Sequence, residues 1–153
     1  FILKTESTLP DTKQKLEEAG RIANAKGYSI VVVDAYRPLS EQVTLACNEI
    51  SRADAAKETP KIPSKVAWPG SSSHGAGTAL DIRLGDGGGT SLWYVGFTTQ
   101  TQAKIEHVKT LAEIMYEAGF QRYHKEIWHF QTNSGTCTST QCFGYPGDEG
   151  CKC

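Results

Sequence analysis

Ser72-Ser73-His74-Gly75-Ala76-Gly77-Thr78-Ala79-Leu80-Asp81-Ile82-Arg83-Leu84 is the run from which the rest of the chain can be read. From Thr78 onward it alternates with the period of two that marks a strand with one apolar face. Leu80, Ile82 and Leu84 therefore point to a core, and Asp81 points to the opposite face. His74 precedes the strand, and Gly75 and Gly77 permit a tight backbone reversal that returns its imidazole to the side of Asp81. The run thus predicts a sheet together with a polar pair mounted on it.

A second segment, Glu126-Ile127-Trp128-His129, completes a set of residues that binds zinc. Two neutral imidazoles and one carboxylate leave the metal a net positive charge and an open fourth position, where the pKa of a water falls to roughly 7. Structural zinc sites are closed by four ligands, commonly with several cysteines, and no cysteine lies near His74, Asp81 or His129 in sequence. Glu126, three residues before the last ligand, supplies a base. Ile127 to Gln131 reads as a strand, yet residues three apart in a regular strand face opposite sides. Glu126 and His129 can share a site only if Glu126 sits in the turn entering the strand or the strand is bulged, and such an irregularity is expected.

At this point the chain resembles the zinc D-alanyl-D-alanine peptidases, the family of the vancomycin-resistance dipeptidases, related carboxypeptidases and several phage endolysins. The pattern Ser-x-His-x-x-Gly-x-Ala-x-Asp is met by Ser72, His74, Gly77, Ala79 and Asp81, and Glu-x-Trp-His by Glu126, Trp128 and His129. Asp34-Ala35-Tyr36-Arg37-Pro38 looks like the Tyr-Arg-Pro segment that carries an active-site arginine. The resemblance implies that His74, Asp81 and His129 bind one zinc ion. It also implies that Glu126 takes a proton from the attacking water and delivers it to the leaving amine, and that Arg37 stabilises the oxyanion. Ser72, Tyr36 and Trp128 are the expected substrate contacts, with support of the metal ligands as the alternative role of Ser72 and Trp128 a core or pocket-wall residue. A fixed guanidinium is suited to its task because it keeps its charge and can contribute about 3 kcal/mol per donor.

Two departures bear on the substrate. The interval between Asp81 and Glu126 is short beside that of the vancomycin-resistance dipeptidases. Ser91 to Thr101 also lacks the acidic residue those enzymes use to hold the free amine of D-Ala-D-Ala, Asp86 being the nearest candidate. The departures favour a carboxypeptidase trimming longer wall peptides over a strict dipeptidase.

The flanking sequence supplies the scaffold. Thr8-Leu9-Pro10-Asp11 opens a helix, with Thr8 as cap, proline in the first turn and Asp11 at the capping-box position. Leu16, Ala19, Ile22 and Ala23 recur at helical spacing, and Gly27 ends the helix. Tyr28 to Asp34 is expected as a buried strand, since Ile30-Val31-Val32-Val33 is a β-branched run. It delivers Arg37 to its exit. Leu39 to about Lys57 predicts a second helix with Val43, Ala46, Cys47, Ile50 and Ala53 on one face. A long loop from Glu58 to Gly77 carries Pro60, Pro63 and Pro69. Gly85 to Ser91 reads as a turn and Leu92 to Phe97 as a short strand. Gln102 to Ala118 forms a third helix through Ile105, Val108, Leu111, Ala112 and Met115, closed by Gly119 and followed by Phe120 and a polar turn. About three helices packed on a small, mostly antiparallel sheet make an α+β fold, a zinc peptidase domain over 1–132.

With 153 residues the chain holds one core and not two. Sixteen basic and 17 acidic residues give a net charge of −1, which argues against a nucleic-acid partner. No apolar run is long enough to span a membrane. The chain opens at Phe1, which suggests a mature or trimmed form, and it is expected to act as a monomer. Of five cysteines, Cys47 stands alone in a helix, while Cys137, Cys142, Cys151 and Cys153 crowd a tail over 133–153 rich in Gly, Ser and Thr. Such a tail has little apolar content to hold itself down, so disulfides are its expected staple. A secreted, periplasmic or cell-wall setting follows. A tie from Cys47 to the tail and a small metal cluster within it are the alternatives to pairing among the four.

His107 on the third helix reads as a structural histidine, and His124 as an exposed one or an outer contact of the site. Isolated, His74, Asp81 and His129 would also read as ordinary; three matching blocks in order are what set them apart. The leading reading is a zinc peptidase that hydrolyses D-Ala-D-Ala bonds in peptidoglycan peptides. The alternatives are a wall endopeptidase or lysin, and a wall-binding module without catalysis.

Overall fold

The computed structural model describes residues 9–55, 67–92, 102–123 and 126–132. Its elements are α1 (Pro10–Ala25), β1 (Tyr28–Asp34), α2 (Leu39–Ala55), β2 (Ala79–Asp86), α3 (Gln102–Glu117), β3 (Gln121–Arg122) and β4 (His129–Gln131). The four strands form one sheet in the order β1-β2-β4-β3, with every neighbouring pair antiparallel. Three helices on a small antiparallel sheet give the expected α+β fold. The predicted strand from Leu92 and the cysteine-rich tail fall, apart from Leu92 itself, outside the described residues.

Strand β2 is the keel of the core. Leu80, Ile82 and Leu84 are fully buried on one face, where they meet Ala19, Ile22 and Ala23 of α1 and Val108, Leu111, Ile114 and Met115 of α3. Each leucine, isoleucine, valine or methionine among them contributes about 1.5–3 kcal/mol when removed from water. Phe130 of β4 and Phe120 complete the cluster. Because side chains alternate along a strand, Asp81, His129 and Gln131 are on the other face. The core thus fixes by parity what the site can contain. Gly119 ends α3 at φ 92°, in the left-handed region that a side chain disfavours.

Several elements differ from the sequence expectation. Leu9, not Thr8, is the N-cap of α1, without a side-chain cap hydrogen bond, and Thr8 lies outside the described residues. Proline at the first helical position needs no N–H partner, which lowers the need for a cap. Strand β1 has the predicted bounds but is only partly buried, because it lies at the sheet's edge and pairs on one side alone. On α2, Val43 and Cys47 are exposed, whereas Gln42 and Ala46 are buried. The inward face is rotated from the expected one because the buried amide of Gln42 is hydrogen-bonded inside the protein. The polar turn after Phe120 contains β3, with Gln121 opposite Gln131 and Arg122 opposite Phe130.

Gly85 shows how tightly β1 and β2 are joined. A Cβ there would meet Val31 Cγ2 at 2.8 Å and Ser29 Oγ closer still. Gly85→Ala is expected to cost about 1–3 kcal/mol by overpacking. Chemical denaturation measures this, and an unchanged midpoint would show that the strands separate without penalty.

Candidate metal centre

Three local devices assemble the centre. The first is the reversal before β2, where Arg37 N donates to His74 O at 3.2 Å and Gly77 N to the same carbonyl at 3.1 Å. Gly77 takes φ 72°, the left-handed conformation that glycine adopts without strain, and this folds His74 back beside the strand. The second is the turn entering β4: Glu126 N donates to Tyr123 O at 3.1 Å and His129 N to Glu126 O at 3.3 Å. Glu126 therefore sits before the strand, as expected from its spacing to His129, and β4 begins only at His129.

The third device is a bulge in β1 that sequence reading missed. Val32 pairs with Ile82 and Asp34 with Asp81, so Val33 is an extra residue against β2. Regular alternation would place Asp34 on the face of Ile30 and Val32. The bulge turns it to the face of Asp81 and aims the following loop there. Asp34 then holds Arg37 through both Nη2 at 2.7 Å and Nε at 3.2 Å. Gln42 Oε1 accepts from Arg37 Nη1 at 3.0 Å, while Gln42 Nε2 donates to Ala67 O. With three of its nitrogens engaged, the guanidinium is held in a fixed plane.

Asp81 and His129 are directly opposed across the β2–β4 ladder. His74 Nε2, His129 Nδ1 and Asp81 Oδ1 form a triangle with all three sides 3.2 Å. Ligand atoms at about 2.0–2.1 Å from a tetrahedral zinc lie roughly 3.3 Å apart, so the triangle matches one face of such a tetrahedron. His74 Nδ1 donates to Ala35 O at 2.7 Å, which leaves Nε2 as the lone-pair nitrogen of the neutral ring. Converging lone pairs repel unless a cation lies among them. These three are the described residues that could together hold a metal ion.

The electrostatics agree. Burial penalises the Asp81 carboxylate, but hydrogen bonds and charge from His129 and His74 outweigh it and hold the carboxyl well below the usual range. For His74, burial opposes the charged ring, and the hydrogen bond and charge of Asp81 outweigh that too, raising its pKa. Burial pushes the Glu126 carboxyl up, with Asp81 adding to the shift while His129, His74 and Arg37 oppose it. Glu126 Oε2 stands 3.7 Å from His129 Nδ1, outside the triangle but beside it.

Ser72 is buried in the loop before His74, Tyr36 is half-buried beside Arg37, and Trp128 packs against the core while its carbonyl accepts from Ile82 N at 2.8 Å. Tyr123, unforeseen from sequence, meets His129 edge-on with ring centroids 6.0 Å apart. His107 lies edge-on to Tyr28 at 6.5 Å, on the core helix α3. His124 lies outside the described residues.

Comparison with known proteins gives consistent findings. Residues 6–134 match the family described as VanY, D-alanyl-D-alanine carboxypeptidase. Among solved structures, a zinc-bound mutant of the vancomycin-resistance D,D-pentapeptidase VanY aligns at 22% identity and TM-score 0.59, over 82% of this chain and 73% of that one. VanYB in complex with D-alanine-D-alanine aligns at 24% identity and TM-score 0.60, over 81% of this chain and 70% of that one. The LD-carboxypeptidase LdcB aligns at 26% identity and TM-score 0.60, over 81% of this chain but 58% of that one. No curated protein matches the chain.

Proposed function

Because the chain belongs to the VanY D-alanyl-D-alanine carboxypeptidase family, a family of zinc peptidases, we propose that it is a zinc-dependent carboxypeptidase of peptidoglycan peptides, releasing the last residue of stems that end in D-Ala-D-Ala. The observation that carries this reading is the 3.2 Å triangle of His74, Asp81 and His129 with Glu126 beside it.

A zinc ion held there supplies a Lewis acid that polarises the scissile carbonyl and lowers the pKa of water. Glu126 accepts the proton of the attacking water and passes it to the departing amine; a carboxyl raised by burial is better matched to that exchange near neutral pH. Arg37, clamped by Asp34 and Gln42, presents a fixed charge to the developing oxyanion, which costs no reorganisation during the step. Ser72 and Tyr36 are assigned to contacts with the peptide and Trp128 to the pocket wall. The setting that suits such substrates is outside the cytoplasm, at the cell wall. No helix among the described residues is long and apolar enough to cross a membrane.

Carboxypeptidase action is favoured over dipeptidase action by the fate of Asp86. Its Oδ1 accepts from Gly88 N at 2.9 Å and Thr90 N at 2.8 Å, shaping its own turn. It also lies five residues along β2 from Asp81, roughly 17 Å at the rise of a strand. A second reading, removal of D-alanine from an L,D-linked end, is favoured by the likeness to LdcB.

Offering free D-Ala-D-Ala, an N-acylated tripeptide ending in D-Ala-D-Ala and a peptide ending in L-Lys-D-Ala separates the readings. The expected product is D-alanine, released fastest from the acylated D-Ala-D-Ala peptide and at least about tenfold slower from the free dipeptide, a difference of some 1.4 kcal/mol in the barrier. Preference for the L-Lys-D-Ala end would transfer the assignment to the L,D reading. Internal cleavage of wall fragments would make the protein an endopeptidase, and absence of turnover on every substrate would leave a binding module.

A further inference from the structure

The two histidines of the triangle are oriented by different means. His74 is fixed by a backbone carbonyl, Ala35 O, which no substitution of that side chain removes. His129 offers Nδ1 to the triangle, and its Nε2 lies 3.2 Å from Gln131 Oε1 and 3.3 Å from Ser73 Oγ. Gln131 is two residues from His129 on β4, hence on the same face, and is buried. Its partner across the ladder is Ala79, whose small side chain leaves the amide room to turn toward the imidazole.

A competing proton position exists on the same ring. Asp81 Oδ1 is 3.2 Å from His129 Nδ1 and is a strong acceptor, so it draws the imidazole proton to the nitrogen that the metal needs. An amide oxygen at Nε2 accepts and cannot donate, and so draws the proton the other way.

We propose that Gln131 is a positioning residue that biases His129 toward its Nε2–H tautomer, with Ser73 in support, so that the Nδ1 lone pair is presented to the metal. This rests on the reading of His74, Asp81 and His129 as the metal-binding set. Outer partners of this kind alter metal affinity by about 10–100-fold when removed.

The test uses the full chain with ¹⁵N-labelled histidine, as wild type, Gln131→Leu and Gln131→Glu. Long-range ¹H–¹⁵N correlations on the metal-free protein, at a pH where the ring is neutral, read the tautomer of His129. Competition with a chromophoric chelator reads zinc affinity. Gln131→Leu is expected to shift the ring toward Nδ1–H and to weaken zinc binding by about 10–100-fold. Gln131→Glu, which keeps an acceptor at Nε2, is expected to restore both. An unchanged tautomer in Gln131→Leu overturns the proposal even if affinity falls, since the loss would then be structural. Wild-type protein that binds no zinc would overturn the metal-binding reading instead, while the tautomer comparison still decides the role of Gln131.

Discussion

Glu126→Gln is expected to lower kcat by about 10²–10⁴-fold while leaving zinc bound, the range that a positioned acid–base group contributes. The amide keeps the size and hydrogen-bonding capacity of the side chain and removes its ability to hold the transferred proton. Retention of metal follows from position. Glu126 Oε2 is 3.7 Å from His129 Nδ1, whereas the three proposed ligand atoms stand 3.2 Å apart. Steady-state rates on the acylated D-Ala-D-Ala peptide, paired with metal analysis of the same sample, check both halves. A variant that turns over within a few-fold of wild type would remove Glu126 from the proton path. One that loses its metal would move Glu126 into the ligand set.

Chelation is expected to abolish turnover and to lower the melting temperature together, with zinc restoring both. The coupling is physical. With the proton of His74 Nδ1 donated to Ala35 O, the Nε2 lone pair of His74 and the ionised carboxylate of Asp81 converge with His129 Nδ1 on one point, and a cation bound there stabilises the folded state alone. Zinc at 1,000 times its dissociation constant contributes about 4 kcal/mol. For a domain of this size each kcal/mol moves the midpoint about 2–4 °C, so the expected drop is roughly 8–16 °C. Calorimetry with and without chelator measures it, and a chelated protein with unchanged melting and unchanged rate would sink the assignment of His74, Asp81 and His129.

Much of the scaffold was legible because its signals are local. Alternation through Leu80, Ile82 and Leu84 gave β2 and the parity of Asp81. Helical spacing ending at Gly27 and Gly119 gave α1 and α3 within a residue or two. The spacing of Glu126 to His129 demanded the turn that the structure contains. Less legible were features that depend on what lies across the sheet. The β-branched run of β1 reads alike at an edge or in the centre, so its partial exposure was not foreseen. The inward face of α2 follows Gln42, a polar residue that an apolar pattern cannot nominate. Strand β3 is two residues long, too short for any periodicity.

The amino-acid sequence by itself determined which chemistry the chain carries: two imidazoles, two carboxylates and a guanidinium, placed at strand ends and turns by alternation and glycine. Tertiary structure decided how those groups are held. The bulge at Val33 that sets Asp34 opposite Asp81, the clamp of Asp34 and Gln42 on Arg37, and the approach of Gln131 and Ser73 to His129 join side chains across different strands and loops. A one-residue shift in pairing turns every following side chain to the other face, and no local pattern encodes that shift. It is fixed only when the strands meet.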